Sequence, residues 1–314
     1  MKGAIRYVVV LIWIGSLFVP TAGWGEDFAG YELLVTSIRT GNPDIFLVNP
    51  ETGDARNLTR HPADDRYPAW APDGRRFTFT SDRDGAFNIY AADSEGGRLF
   101  QLTHEKSPTV CFYPTWAANG TIAFGRDTGG KVEIRLMKED GSEPRFVGPG
   151  TDPCLSPDGR RIAFTRKAGQ GFCVFVMDAD GGNVRPISTR ENELGAVVPT
   201  FSPDGTRILY SDQVGGALEI FVCDAQEGNP RQLTFLGKLS TSAAWSPDGR
   251  WITFRVTESA FWRDTAEREK AYREKRGDLR PVYLMGGDGA DPHVIETLRY
   301  QCAVDGSRAV WRPD

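Results

Sequence analysis

Histidine is scarce in this chain: its 314 residues include only His61, His104 and His293. That leaves little imidazole for metal or acid–base chemistry. Cysteine stops at five residues, an odd number, and none forms a Cys-x-x-Cys pair. A Gly-rich phosphate loop and a Gly-x-Ser-x-Gly nucleophile elbow are both missing. Excess positive charge is missing too. The formal net charge is −5, and −7 once Lys2 and Arg6 are removed with a leader. This balance excludes a general nucleic-acid or anionic-membrane surface. The one long apolar run, residues 7–19, is too short for a comfortable bilayer span. It follows Lys2 and Arg6 and precedes the small residues Thr21-Ala22-Gly23 and Gly23-Trp24-Gly25, so residues 1–25 read as a signal peptide. No cysteine stands near the cut to take a lipid. A periplasmic or secreted protein is expected, with no stable membrane span in the mature chain.

Glycine (35) and proline (20) are plentiful, and they recur in one phrase. Trp70-Ala71-Pro72-Asp73-Gly74-Arg75 returns as Leu155-Ser156-Pro157-Asp158-Gly159-Arg160, as Phe201-Ser202-Pro203-Asp204-Gly205-Thr206 and as Trp245-Ser246-Pro247-Asp248-Gly249-Arg250. A decayed copy is Trp116-Ala117-Ala118-Asn119-Gly120. The chain ends on Trp311-Arg312-Pro313-Asp314, and Gly30-Tyr31 supplies the other half of that copy. Pro, Asp and Gly are read as turn formers: Pro sets φ, Asp bonds the backbone two residues on, and Gly takes the positive φ.

After each turn comes a strand with alternating large residues, such as Phe77/Phe79, Ile162/Phe164 and Ile252/Phe254. A third strand is apolar on both faces, as in Ile45-Phe46-Leu47-Val48, which suits the middle of a sandwiched sheet. A short outer strand ends in Leu58-Thr59, Leu102-Thr103 or Leu233-Thr234. A connection then runs inward to Pro68-Ala69-Trp70, Pro114-Thr115-Trp116 or Pro199-Thr200-Phe201. Repeats of this length are four-stranded propeller blades. The expectation is an all-β, six-bladed β-propeller of four-stranded antiparallel blades over residues 26–314, closed by pairing of the N- and C-terminal strands. No disulfide is expected. Cys173 and Cys223 occupy equivalent strands with the same parity, and Cys111 and Cys154 are out of register by on the order of 13 Å.

The repeat strongly resembles that of the TolB family of periplasmic proteins across residues 30–314. The carriers are the Trp-Ser/Ala-Pro-Asp-Gly-Arg phrase, Ser81-Asp82-Arg83-Asp84-Gly85, Ile89-Tyr90 and the Leu-Thr pairs. The resemblance implies six blades closed by a C-terminal innermost strand. TolB itself carries an α/β domain ahead of its propeller, whereas here the repeat is expected to start directly after the leader. Propeller lyases acting on acidic oligosaccharides are similar in blade sequence, and the resemblance to them implies a metal held by clustered histidines. His293 enters its strand from the opposite face to His61 and His104, so no metal or other cofactor is expected.

In such a blade the Pro-Asp-Gly turns share one face, and the connections into each inner strand share the other. The second face holds an insertion over residues 257–281. A helix is expected from about residue 265 to 276, with Asp264 as N-cap, Glu267 at capping-box spacing and Glu269/Arg273 as an i,i+4 pair. Phe261, Trp262 and Arg263 precede it. The same face should carry His61, Asp64, Asp65 and Arg66, then His104 and Tyr113, with Glu191 and Glu193 further round. These are the candidate ligand- or partner-binding residues; no catalytic residue is assigned. The favoured function is a monomeric, non-enzymatic binding scaffold that recognises a protein or glycan, for instance in the cell envelope. The alternative is a lyase-like enzyme acting on an acidic oligosaccharide.

Overall fold

Each Pro-Asp-Gly segment folds as a tight turn that launches the next strand. The carboxylates of Asp73, Asp158, Asp204 and Asp248 accept the backbone N–H two residues on, at 3.0, 3.1, 3.0 and 3.0 Å. The glycines that follow have φ of 63°, 69°, 70° and 71°, a region that side chains with a Cβ disfavour. Asn119 takes the aspartate's part in the decayed copy, accepting from Thr121 at 3.1 Å.

The computed structural model describes residues 30–95, 97–188, 195–257, 281–295 and 310–313. Within them every element is a strand. The first sheet has the order β24-β1-β2-β3, with β1 (Leu33–Ser37), β2 (Asp44–Val48), β3 (Ala55–Asn57) and β24 (Val310–Trp311). The second holds β4 (Asp65–Trp70), β5 (Arg76–Ser81), β6 (Asn88–Asp93) and β7 (Leu99–Gln101). The third holds β8 (Val110–Trp116), β9 (Thr121–Asp127), β10 (Val132–Lys138) and β11 (Arg145–Pro149). The fourth holds β12 (Thr151–Leu155), β13 (Arg161–Ala168), β14 (Gly171–Asp178) and β15 (Arg185–Pro186). Eight further strands are hydrogen-bonded together. They comprise β16 (Val197–Phe201), β17 (Arg207–Val214), β18 (Ala217–Asp224) and β19 (Gly228–Gln232), then β20 (Leu239–Trp245), β21 (Trp251–Thr257), β22 (Val282–Gly286) and β23 (His293–Val294). A single parallel pairing, Leu218 with Leu239, joins the two groups of four. All other pairings are antiparallel.

The terminal strands share a sheet: Leu33 stands opposite Trp311 and Leu34 opposite Val310. The innermost strands touch one another in the order β24, β4, β8, β12, β16, β20 and back to β24.

The core lies between the sheets, which explains why the second and third strands are apolar on both faces. Leu34, Ile45 and Leu47 pack on Trp70, Phe77 and Phe79 of the next sheet. Val35 and Phe46, on the opposite face, meet Trp251, Val282 and Leu284. Each such buried side chain contributes about 1.5–3 kcal/mol. The Leu-Thr pairs tie the outer strand to the third strand. The Oγ1 of Thr59, Thr103 and Thr234 accepts the amides of Ile45, Ile89 and Ile220 at 3.1, 2.8 and 2.8 Å. The same hydroxyls donate to the buried acceptors Asp44, Asn88 and Glu219.

Arginines on the outer strands clasp successive groups. Arg56, Arg145, Arg185 and Arg231 each donate to a backbone carbonyl in the turn of the following group: Ser94, Ala179, Ala225 and Asp288. In the second sheet this position is Phe100, which is half exposed. The four described cysteines, Cys111, Cys154, Cys173 and Cys223, are buried. Burial pushes the Cys111 and Cys223 thiols up to about 12, so they stay protonated at neutral pH.

Candidate central binding site

Five innermost strands carry the same irregularity. Their register with the following strand slips between Arg66 and Ala69, Phe112 and Thr115, Thr151 and Cys154, Val197 and Thr200, and Thr241 and Ala244. One residue in each slip is left-handed: Tyr67, Tyr113, Asp152, Val198 and Ser242, with φ between 50° and 58°. None is a glycine, and proline follows four of them. Such a conformation costs roughly 1–2 kcal/mol per residue, and a following proline disfavours it further. The neighbouring sheet helps to hold it, since the Val198 amide donates to Thr165 Oγ1 at 3.2 Å.

Four of these bulges, at Tyr67, Tyr113, Asp152 and Val198, line a cavity of about 320 Å³ enclosed by the innermost strands. The rest of the wall is aromatic and prolyl: Trp70, Trp116, Phe201, Trp245 and Trp311, with Pro72, Pro157 and Pro203 beside the Pro-Asp-Gly turns. Tyr67 and Tyr113 pack with ring centroids 4.2 Å apart, and Phe112 meets Tyr113 edge-on at 5.2 Å. Gly125 makes room for Phe112, because a Cβ there would lie 2.6 Å from the ring. Arginines from the preceding sheet brace the tryptophans, with Arg312 over Trp70, Arg76 over Trp116 and Arg207 over Trp245 at 5.4, 4.8 and 4.4 Å.

Of the candidates named from sequence, Tyr113 is in the cavity wall. His61 belongs to a separate pocket beside Thr40, Asn42 and Arg60, and its Nδ1 accepts the Ala63 amide at 3.1 Å. Asp64 and Arg66 are ion-paired at 2.5 Å. Asp65 is fully buried and accepts both of its 3.0 Å bonds from Arg83. Burial raises the Asp65 pKa, and hydrogen bonds from Ser81 and Arg83 pull against that rise. Arg83 also lies over Phe79 and Tyr90, and Tyr90 donates to Asp84, so the Ser81–Gly85 turn is a structural knot. His104 is exposed. Phe261, Trp262, Arg263, Glu191 and Glu193, together with the expected helix, lie outside the described residues. The insertion leaves at Thr257, which pairs with Leu239 at the start of β20, on the side where the innermost strands begin.

Sequence reasoning passed over Tyr67, Asp152 and Val198. The available signal was the residue just before the recurrent proline of each inward strand. Among the described residues no group of three His, Cys, Asp or Glu stands close enough to hold a metal ion.

A family model described as the TolB beta propeller domain matches residues 27–195 and 153–261. The curated "Protein TolB homolog" of Chlorobium luteolum is 28% identical over 160 residues, which is 50% of this chain and 36% of that protein. Across three such curated relatives this chain covers 34–55% of their length. The solved structure of putative TolB from Agrobacterium tumefaciens superposes with a TM-score of 0.68 at 18% identity, over 89% of this chain and 93% of that one. An oligogalacturonate lyase solved in complex with manganese gives 0.57 at 16% identity, over 83% and 73%. At such identities the likeness concerns the fold alone.

Proposed function

This chain belongs to the TolB beta-propeller family, and from that premise we propose that it is an exported, non-enzymatic binding propeller. In this reading residues 1–25 direct export to the periplasm or beyond. The sheets close into a six-bladed ring clasped by β24 on β1. The cyclic contacts of the innermost strands and the antiparallel pairing of the terminal strands support that closure.

A protein or glycan partner in the cell envelope docks on the face from which the insertion emerges. The observation that carries this reading is the wall of the cavity. Tyr67 and Tyr113 are held there at a conformational cost with their rings in contact. Strain of this kind persists where the surrounding structure enforces it, and it clusters at ligand sites. The other named residues, His61, Asp64, Asp65, Arg66, His104, Phe261, Trp262 and Arg263, serve as rim and support. The lyase reading gains less. It needs convergent arginine, histidine and carboxylates, and the described cavity wall holds neither arginine nor histidine.

The test is capture from a periplasmic extract on immobilised protein. Wild type should retain a partner that a Tyr67→Ala, Tyr113→Ala variant loses while melting at a similar temperature. Equal capture by the variant, or cleavage of an acidic oligosaccharide by the wild type, would refute the proposal.

A further inference from the structure

Asn119 is the one asparagine in the chain that glycine follows. Asn42, Asn49 and Asn229 precede proline, and Asn57, Asn88, Asn183 and Asn192 precede Leu, Ile, Val and Glu. The pairing has a chemical consequence. A backbone nitrogen that loses its proton attacks the side-chain amide carbon of the residue before it and closes a five-membered ring. Proline has no such proton, and a side chain on the attacking residue hinders closure; glycine presents neither obstacle. Asn119 is exposed, so water reaches it.

The folded turn works against that reaction. The attacking group, the Gly120 N–H, donates to the Ala117 carbonyl at 3.0 Å and keeps its proton there. Asn119 Oδ1 accepts the Thr121 amide at 3.1 Å, which fixes the side-chain amide. Its Cγ lies against the next sheet, since a Cβ on Gly159 would stand 2.6 Å from it. The Ala118 amide donates to the Pro157 carbonyl at 3.1 Å and ties the turn to the same neighbour. Ring closure waits until these contacts open.

From this placement we propose that Asn119 is a deamidation site latched by its own turn, converted to an acid by water when the turn opens. The Gly120 nitrogen, deprotonated by hydroxide, bonds to Asn119 Cγ. The Cγ–Nδ2 bond breaks, and that nitrogen leaves as ammonia with a proton from water. Water then adds to one carbonyl of the ring and cleaves one of its two C–N bonds. Cleavage at Cγ gives aspartate; cleavage at the backbone carbonyl gives isoaspartate, whose main chain runs through the side-chain carbons. One water is consumed and one ammonia released, and nothing is oxidised. The aspartate resumes the turn. Asp73, with alanine two residues before it as Asn119 has, accepts the amide two residues on at 3.0 Å. Isoaspartate adds a carbon to the main chain and spoils the spacing between the Ala117 carbonyl and the Gly120 amide.

The test keeps the full-length protein in mildly alkaline buffer, folded or in guanidinium chloride, and reads residue 119 by mass spectrometry after digestion. Conversion should be at least about tenfold slower in the folded protein, because a bonded turn opens rarely. In guanidinium Gly120→Val should suppress conversion, a comparison that needs no fold. In buffer Gly159→Ala should speed it by pushing Asn119 from its seat, and Asn119→Asp should melt near the wild-type temperature. No conversion in guanidinium, or conversion there no faster than at Asn57 and Asn88, overturns the site. Equal wild-type rates in buffer and guanidinium, or an unchanged rate in folded Gly159→Ala, overturns the latch. A strongly destabilised Asn119→Asp protein overturns the return of aspartate to the turn. Should Gly159→Ala fail to fold, the two wild-type rates still decide.

Discussion

Val198 holds a branched side chain at φ 57°, a conformation its own chemistry opposes, and the surrounding strands impose it. Tyr67 and Tyr113 repeat the case; tyrosine and valine do not favour the left-handed region, so the sequence marks the bulges only through the proline that follows four of them. The turns were legible for the opposite reason, since Pro, Asp and Gly each prefer the geometry they adopt. His61, chosen for its imidazole, bonds its own loop instead. Two outcomes follow at this scale. Gly125→Ala should force Phe112 off its seat beside Tyr113 and cost about 1–3 kcal/mol, read as a lower denaturant midpoint. Adding Phe112→Ala should recover part of that loss. The second concerns acid. Hydrogen bonds from Ser156 and Ser202 hold Asp158 and Asp204 below the usual carboxylate range. Their folded values are depressed, so their contribution is complete above the unfolded value of about 3.9 and fades as pH falls through the folded value. Asp158→Asn with Asp204→Asn should therefore flatten the fall in stability below about pH 4. An unchanged slope in urea titrations at several pH values would count against this.

Second and third strands could be found from sequence because burial on both faces leaves a dense apolar signature, as in Ile45–Val48 and Ile220–Cys223. The outer strands were found mainly through Leu-Thr, because β15 and β23 are only two residues long and carry little pattern. The arginine two residues before the leucine position was legible as a letter but not as a clasp, since its acceptor is a carbonyl some forty residues away. Phe100 interrupts that series. Phe100→Arg should reach the turn after β10 and add about 0.5–1 kcal/mol, seen as a raised melting temperature. Arg231→Ala should lose a similar amount. A destabilised Phe100→Arg protein would mean that the exposed ring has a packing role at that seam.

At the level of the molecule, the clasp of β24 on β1 is small in hydrogen bonds and large in buried surface. Trp311 is 5% exposed, packs with Trp251 and Leu33, and meets the Tyr31 ring at 5.1 Å. Arg312 adds an ion pair to Glu32 and lies over Trp70. Trp311→Ala should cost about 3–5 kcal/mol. Removing residues 306–314 should lower the single unfolding transition of the whole protein. A truncated chain with an unchanged melting curve would show that the clasp is dispensable. The orientation of the clasp also has a mechanical meaning. Leu33 and Trp311 face each other in an antiparallel pair, so the chain leading into β1 and the chain leaving β24 depart from the same end. Tension applied through those two segments peels the strands apart one pair at a time and never loads all the bonds in shear. A molecule tethered at one end and pulled at the other would open at this seam first, lifting Val310 and Trp311 out of the cavity wall before any other strand gives way.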